Sequence, residues 1–198
     1  MPPQRAVFVA RRTMKLIVGL GNPGRRYEAT RHNVGYAVLR ELARRSAAGG
    51  PKAKFHGAVV EASLAGQRVL LLSPTTYMNR SGVSVQEARA FYKIPDEDLL
   101  IVCDDLNLPL AKLRFRAKGS AGGQRGLEDI IRRLGTQELA RLRIGIGSPP
   151  EAWAWADYVL SKFTPEEAEQ IEAAVAKAAD AVELWCREGV SACMNEYN

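Results

Sequence analysis

In the segment LIVGLGNPGRRYEATRHNVG, residues 16–35, an apolar strand runs into a Gly/Asn/Pro turn and then delivers Asn22, Tyr27, His32 and Asn33. The chain has two histidines, and one of them stands here among side chains that donate and accept hydrogen bonds. An imidazole in such company is the usual means of taking a proton from water near neutral pH. A carboxylate to orient it is available. Asp104 follows the apolar run 99–103, at the carboxyl end of a strand, where α/β sheets present their sites. Bonded to the ring's Nδ1–H, an aspartate fixes the tautomer and favours the imidazolium as a proton is taken. Arg31, beside the His, acts in the opposite sense. Taken alone, His32 reads equally well as a helix N-terminal residue whose ring packs or caps.

Two further segments carry polar groups of the right kind. PTTYMN, residues 74–79, follows a strand at 68–73. There Asn79 reads as a buried amide that orients water or contacts a substrate, and Met78 as the wall of an adaptable apolar groove. The other reading, Asn79 or Ser81 as a helix N-cap, stays open. Residues 112–118 alternate strictly: Lys112, Arg114, Arg116 and Lys118 point one way, and Leu113, Phe115 and Ala117 the other. A Gly-rich loop at 119–126, with Gly122 and Gly123, then leads into a helix, an arrangement suited to anions. Nine cations face three acids over residues 112–143. This face suits a phosphate backbone, which positions a nucleic acid without reading much sequence. A solvated outer sheet face is the plainer alternative.

Other chemistries fit poorly. Gly19, Gly21 and Gly24 match a dinucleotide fingerprint in spacing, but Pro23 lies in the turn and no acid ends the next strand to hold a ribose. The glycines read better as a sharp turn at a strand end. The chain contains neither G-x-S-x-G nor H-E-x-x-H. Its three cysteines, Cys103, Cys186 and Cys193, are not spaced as metal pairs, so no metal and no cofactor is expected. Cys103 reads as core, and His56 as a solvent-facing strand residue. Isolated cysteines fit a reducing, cytoplasmic setting.

The elements needed to position these groups follow from periodicity. At 198 residues and 46% apolar composition the chain fits one domain with a sizeable core. Strands are expected at 15–19, 55–63, 68–73, 99–103, 112–118 and 142–147, with Ala65-Gly66 turning a hairpin. Helices are expected at 30–45, at 81–92, from the Gly loop to 134, and from Thr164-Pro165-Glu166-Glu167 onward. That last sequence is a capping box with Pro at the first helical position. Its stripe of Ala168, Ile171, Val175, Ala178, Val182 and Trp185 faces the core. The pattern predicts an α/β domain: a mixed, mostly parallel sheet flanked by helices on both faces, in three layers.

The charge is divided. Residues 164–198 hold two basic and eight acidic residues, leaving 26 basic against 14 acidic elsewhere. Such separation favours a polyanionic partner on one side of the molecule. No apolar run is long enough to span a membrane. Aromatic residues make up 7% of the chain, which argues against a broad base-stacking platform. Residues 1–13 carry three arginines and too short an apolar stretch for a secretory signal. They are expected to be a disordered extension, with the domain at 14–198 and Met14 a candidate start.

The blocks GLGNPGRRYEATRHNVG, PTTYMNRSG, DDLNLP, RFRAKGSAGG and RLRIGIG, in this order, make the chain resemble bacterial-type peptidyl-tRNA hydrolases over residues 14–195. The resemblance implies cofactor-free hydrolysis of the ester between a peptide and the 3′-terminal adenosine of tRNA. It implies His32 as general base oriented by Asp104 rather than Asp105, and Asn22 and Asn79 contacting substrate and water. Tyr27, Asn33, Met78, Gly122 and Gly123 would contribute to the substrate pocket, and Arg116 and Arg143 would hold the tRNA 5′-phosphate. Where the family usually reads Gly-Gly-His-Asn-Gly, this chain has Gln124 and Arg125, expected at the substrate. Cys103 stands where a His often precedes the Asp. The expected partner is tRNA, for a monomer with no membrane and no obligate protein partner. The alternative is a non-catalytic RNA-binding protein of the same fold.

Overall fold

Strands that are apolar on both faces must lie between two layers of helices. LIVG and LLIVC are such strands, and they form the centre of a seven-stranded sheet in the computed structural model, which describes residues 14–198. The expectations for residues 1–13 lie outside the described residues. The elements are β1 (Lys15–Gly19), α1 (Val34–Arg45), β2 (Lys52–Lys54), β3 (Gly57–Leu64), β4 (Gln67–Pro74), α2 (Ser81–Tyr92), β5 (Leu99–Asp105), β6 (Leu113–Arg116), α3 (Arg125–Leu134), β7 (Ala140–Gly145), α4 (Trp155–Leu160), α5 (Pro165–Glu188) and α6 (Val190–Tyr197).

Strand order is β2-β3-β4-β1-β5-β7-β6. The four central strands run parallel, and β2-β3-β4 and β7-β6 pair antiparallel at the two ends. Alternation along the strands builds two cores. Ile17, Leu71, Leu100, Val102 and Leu142 pack under α1, α5 and α6. Leu16, Val18, Leu70, Leu72 and Ile101 pack under α2 and α3. The capping box of α5 is formed as expected, with Thr164 and Glu167 bonded reciprocally.

Several boundaries differ from the sequence reading. The helix expected at 30–45 opens with a 3-10 turn over Arg31–Asn33, and α1 proper starts at Val34. Edge strand β2 is only three residues long and fully exposed, so it leaves no periodic signal. His56 is not in a strand. It sits with Phe55 in a turn at positive φ, 49° and 55°. Regular pairing in β6 ends at Arg116, leaving Lys112, Ala117 and Lys118 in flanking loop, with Ala117 exposed. Ala168, in the first turn of α5, is exposed. Small residues Ala174, Ala179 and Ala181 widen the buried stripe instead.

One close approach matters to the site. A Cβ on Gly19 would lie 2.4 Å from the Gly35 carbonyl oxygen, and a Cβ on Gly35 would lie 2.6 Å from the backbone of Leu20. These two glycines let the first turn of α1 press onto the end of β1. The preceding 3-10 turn, with His32, is thereby brought over the end of the sheet.

Candidate active site

The loops after β1, β4 and β5 and the loop before α3 meet at the carboxyl ends of the parallel strands, where α/β sheets hold their ligands. They enclose a cleft of about 440 Å³. That is the size of a small-molecule site, so a macromolecular substrate can insert only one end.

His32 and Asp104 meet at the floor. His32 Nδ1 lies 2.8 Å from Asp104 Oδ2, and the two side chains are 12% and 4% exposed. With Nδ1 committed to the carboxylate, Nε2 is the ring nitrogen left for the cleft. The other carboxylate oxygen, Oδ1, accepts from Gln124 Nε2 at 3.0 Å. Asp105 does not face the ring. Its Oδ1 accepts the Asn107 N–H at 2.8 Å, and its Oδ2 pairs with Arg143 Nη2 at 2.7 Å. The two neighbouring aspartates point to opposite sides, as an extended strand requires.

Asn22 is held from both ends. Its backbone N–H donates to Asn33 Oδ1 at 2.8 Å, and its carbonyl accepts from Asn33 Nδ2 at 2.9 Å. Its side-chain Oδ1 accepts the Met78 N–H at 2.8 Å. That bond fixes which way the amide faces. The NH₂ end of Asn22, two donors, is the end left for the cleft.

Arg31 is buried, and its charge is met. It holds the Glu167 carboxylate with Nη1 at 3.1 Å and Nη2 at 2.6 Å, and donates to the Ile146 carbonyl and Ser161 Oγ. The guanidinium also packs over the rings of Tyr158 and Phe163. The charge of Arg31 is thus taken up by Glu167. Burial works to raise the Glu167 carboxyl, but hydrogen bonds from Arg31 and the Thr164 backbone outweigh it, and the group sits below its ordinary value. Arg31 thus ties the turn carrying His32 to α4 and α5.

The remaining expected residues divide. Met78, Asn79, Gly122, Gly123, Gln124, Arg125 and Arg143 line the cleft with Asn22, His32 and Asp104. Asn79 is exposed on the wall, neither the buried amide nor the helix cap expected, because the 3-10 turn over Met78–Arg80 carries it outward. Asn33 does not reach the cleft, since both ends of its amide are used on Asn22. Tyr27 stands behind the wall, edge-on to Tyr77 with ring centroids 6.4 Å apart. Gln124 faces Asp104 and its own helix rather than open space. Arg143 is half-buried against Asp105.

On the basic face, Arg116 and Lys112 are exposed and Arg114 half-buried, and Lys118 lies 3.5 Å from Glu138. Arg141, cross-strand neighbour of Arg116, is 2% exposed and donates to the carbonyls of Gly119, Ser120 and Gln137. It secures the base of the Gly loop rather than offering its charge outward. Cys103 is fully buried, and burial together with neighbouring Asp104 pushes its thiol well above the ordinary value, in keeping with a core residue.

The sequence reading missed one whole wall. Trp155, Ala156, Val159 and Leu160 of α4 also line the cleft. The available signal was two tryptophans, Trp153 and Trp155, two residues apart in a chain with three. Among the described residues, no group of three or more His, Cys, Asp or Glu is arranged to hold a metal ion, and no helix is long and apolar enough to cross a membrane.

Comparisons with known proteins agree with this architecture. The family model for peptidyl-tRNA hydrolase matches residues 16–198. A peptidyl-tRNA hydrolase of Rhodopirellula baltica is 52% identical over 185 residues, covering 93% of this chain and 97% of the relative. One from Chloroflexus aggregans is 50% identical over 186 residues, covering 93% and 99%. The crystal structure of the peptidyl-tRNA hydrolase of Acinetobacter baumannii superposes with a TM-score of 0.87 at 38% identity, covering 93% of this chain and 94% of that one. With the match spanning both cores and every loop of the cleft, the chain belongs to the peptidyl-tRNA hydrolase family.

Proposed function

We propose that this chain hydrolyses the ester joining a peptide, or an N-blocked amino acid, to the 3′-terminal adenosine of tRNA. The observation that carries the reading is the 2.8 Å contact between His32 and Asp104 on the cleft floor, with Nε2 left over. Water attacks the ester carbonyl carbon while His32 Nε2 takes its proton. The tetrahedral oxyanion is met by the NH₂ of Asn22 and by backbone N–H groups at Gly122 and Gly123. The imidazolium then returns the proton to the departing 3′ oxygen, leaving tRNA with a free hydroxyl and the peptide with a carboxylate. Met78 and the α4 side chains form the apolar surface for the acyl part, and Asn79 and Arg125 stand at the walls. Arg116, Lys112 and Arg114 offer the exposed charge for tRNA phosphates. Lys118 and Arg143, already near Glu138 and Asp105, contribute less.

This reading makes the enzyme a cytoplasmic monomer that returns tRNA to translation. The test is release of N-blocked amino acid from N-blocked aminoacyl-tRNA by the purified protein. Hydrolysis without added cofactor is expected. Binding of tRNA with no release would leave only an RNA-binding module and contradict the proposal.

A further inference from the structure

Gln124 joins two structures that are otherwise separate. Its Oε1 accepts the Leu127 N–H at 2.8 Å and so caps the first turn of α3. Its Nε2 lies 3.0 Å from Asp104 Oδ1 and 3.2 Å from Met78 Sδ. Oxygen and nitrogen of an amide look alike in shape, so their assignment needs a chemical reason. Here there is one. Turning the amide over would leave the Leu127 N–H facing a donor and place the Gln124 oxygen against a carboxylate oxygen. The helix cap therefore dictates that a donor faces Asp104. The Asp104 carboxylate is then held on both oxygens, by Gln124 on Oδ1 and by His32 on Oδ2.

We infer that Gln124 is a positioning residue that acts through Asp104. It locks the carboxylate in the orientation that presents Oδ2 to His32 Nδ1, and so keeps the imidazole in the tautomer whose Nε2 is free to accept a proton. The inference rests on the proposed role of His32 as base. It differs from the expectation that Gln124 contacts substrate, because both ends of its amide already have partners. An amide does not titrate, so Gln124 itself offers the same donor at every pH.

Two variants separate positioning from capping. Gln124→Ser keeps an oxygen able to cap α3 but is too short to reach Asp104. Gln124→Met keeps the length and loses both functions. Both are expected to lower kcat about 10- to 100-fold, the usual loss when an orienting partner is removed, with KM within about twofold. Only Gln124→Met should lower the melting temperature. Because the chain has two histidines, nitrogen-15 spectra of the imidazoles give a readout independent of turnover. The Nδ1–H tautomer of neutral His32 should dominate in the parent and give way to a mixture in Gln124→Ser, while His56 stays unchanged. Parent-like kcat and an unchanged His32 tautomer in Gln124→Ser would overturn the inference, as would a raised KM at constant kcat, which would mark a substrate contact. Should His32→Ala retain turnover, the base assignment fails, and the tautomer spectra still decide whether Gln124 orients Asp104.

Discussion

The two histidines make nearly the same contact in different surroundings. His32 Nδ1 lies 2.8 Å from Asp104, and His56 Nδ1 lies 3.0 Å from Glu87. The His32 pair is 12% and 4% exposed, whereas the His56 pair is 62% and 43% exposed. Water competes for every bond at His56, and its carboxylate has a whole helix surface over which to swing. Exposed pairs of that kind contribute about 0–1 kcal/mol. Around His32 the second carboxylate oxygen is taken by Gln124, the neighbouring Arg31 is anchored on Glu167, and the loop is clasped by Asn22 and Asn33. An imidazole–carboxylate contact does not make a site. A contact held in place by its neighbours is what a preorganised site requires.

Substituting the two carboxylates should separate the histidines most widely. Asp104→Asn should lower kcat by about 10³-fold, since a wrongly held ring loses general-base catalysis. Glu87→Gln should leave kcat within about twofold, the scale of an exposed pair. Steady-state hydrolysis of N-blocked aminoacyl-tRNA reads both. A smaller effect sharpens the contrast through anchoring. Glu167→Gln leaves Arg31 buried without its charge partner. It should cost about 2 kcal/mol at pH 7, less than a fully buried pair because Glu167 is partly exposed. The Glu167 carboxyl is held below its ordinary value. Its stabilisation is therefore complete above about pH 4.3, the unfolded value, and is lost as pH falls through the folded value. Chemical denaturation of parent and variant at neutral and acid pH checks this, and a difference that grows toward acid would contradict it. A weaker effect than that of Asp104→Asn is expected on the basic face. Arg116→Ala should weaken tRNA binding about fivefold and reduce the log–log salt slope by about one, with kcat unchanged. A parent-like slope in a binding titration would remove Arg116 from the phosphate contacts.

Much of the molecule was legible from residue types alone. Strand β1 and helix α2 fall on the expected residues, the Ala65-Gly66 hairpin turns where it should, and the Thr164 box starts α5. These are long periods or strong local signals, which need no knowledge of the rest of the chain. Edge strand β2, at three residues, and helix α4, at six, are shorter than any period that could announce them. At the site, the meeting of His32 with Asp104 could be anticipated because both stand at strand or helix ends on one side of a parallel sheet. The duties of the amides could not. Asn33 serves the loop rather than the cleft, and Gln124 faces a carboxylate because of a backbone N–H three residues further on. Which end of an amide is free depends on contacts across the fold, as with Asn22 and Met78, 56 residues apart. Composition does not carry that information.

His32 and Asp104 are expected to act as one unit, and a double-mutant cycle on single-turnover hydrolysis reads their coupling. His32→Ala is expected to lower the rate by about 10³-fold or more while tRNA affinity holds, and adding Asp104→Asn to it should cost almost nothing further. Losses that multiply would mean that the two side chains serve separate ends and that the catalytic pair described above does not exist.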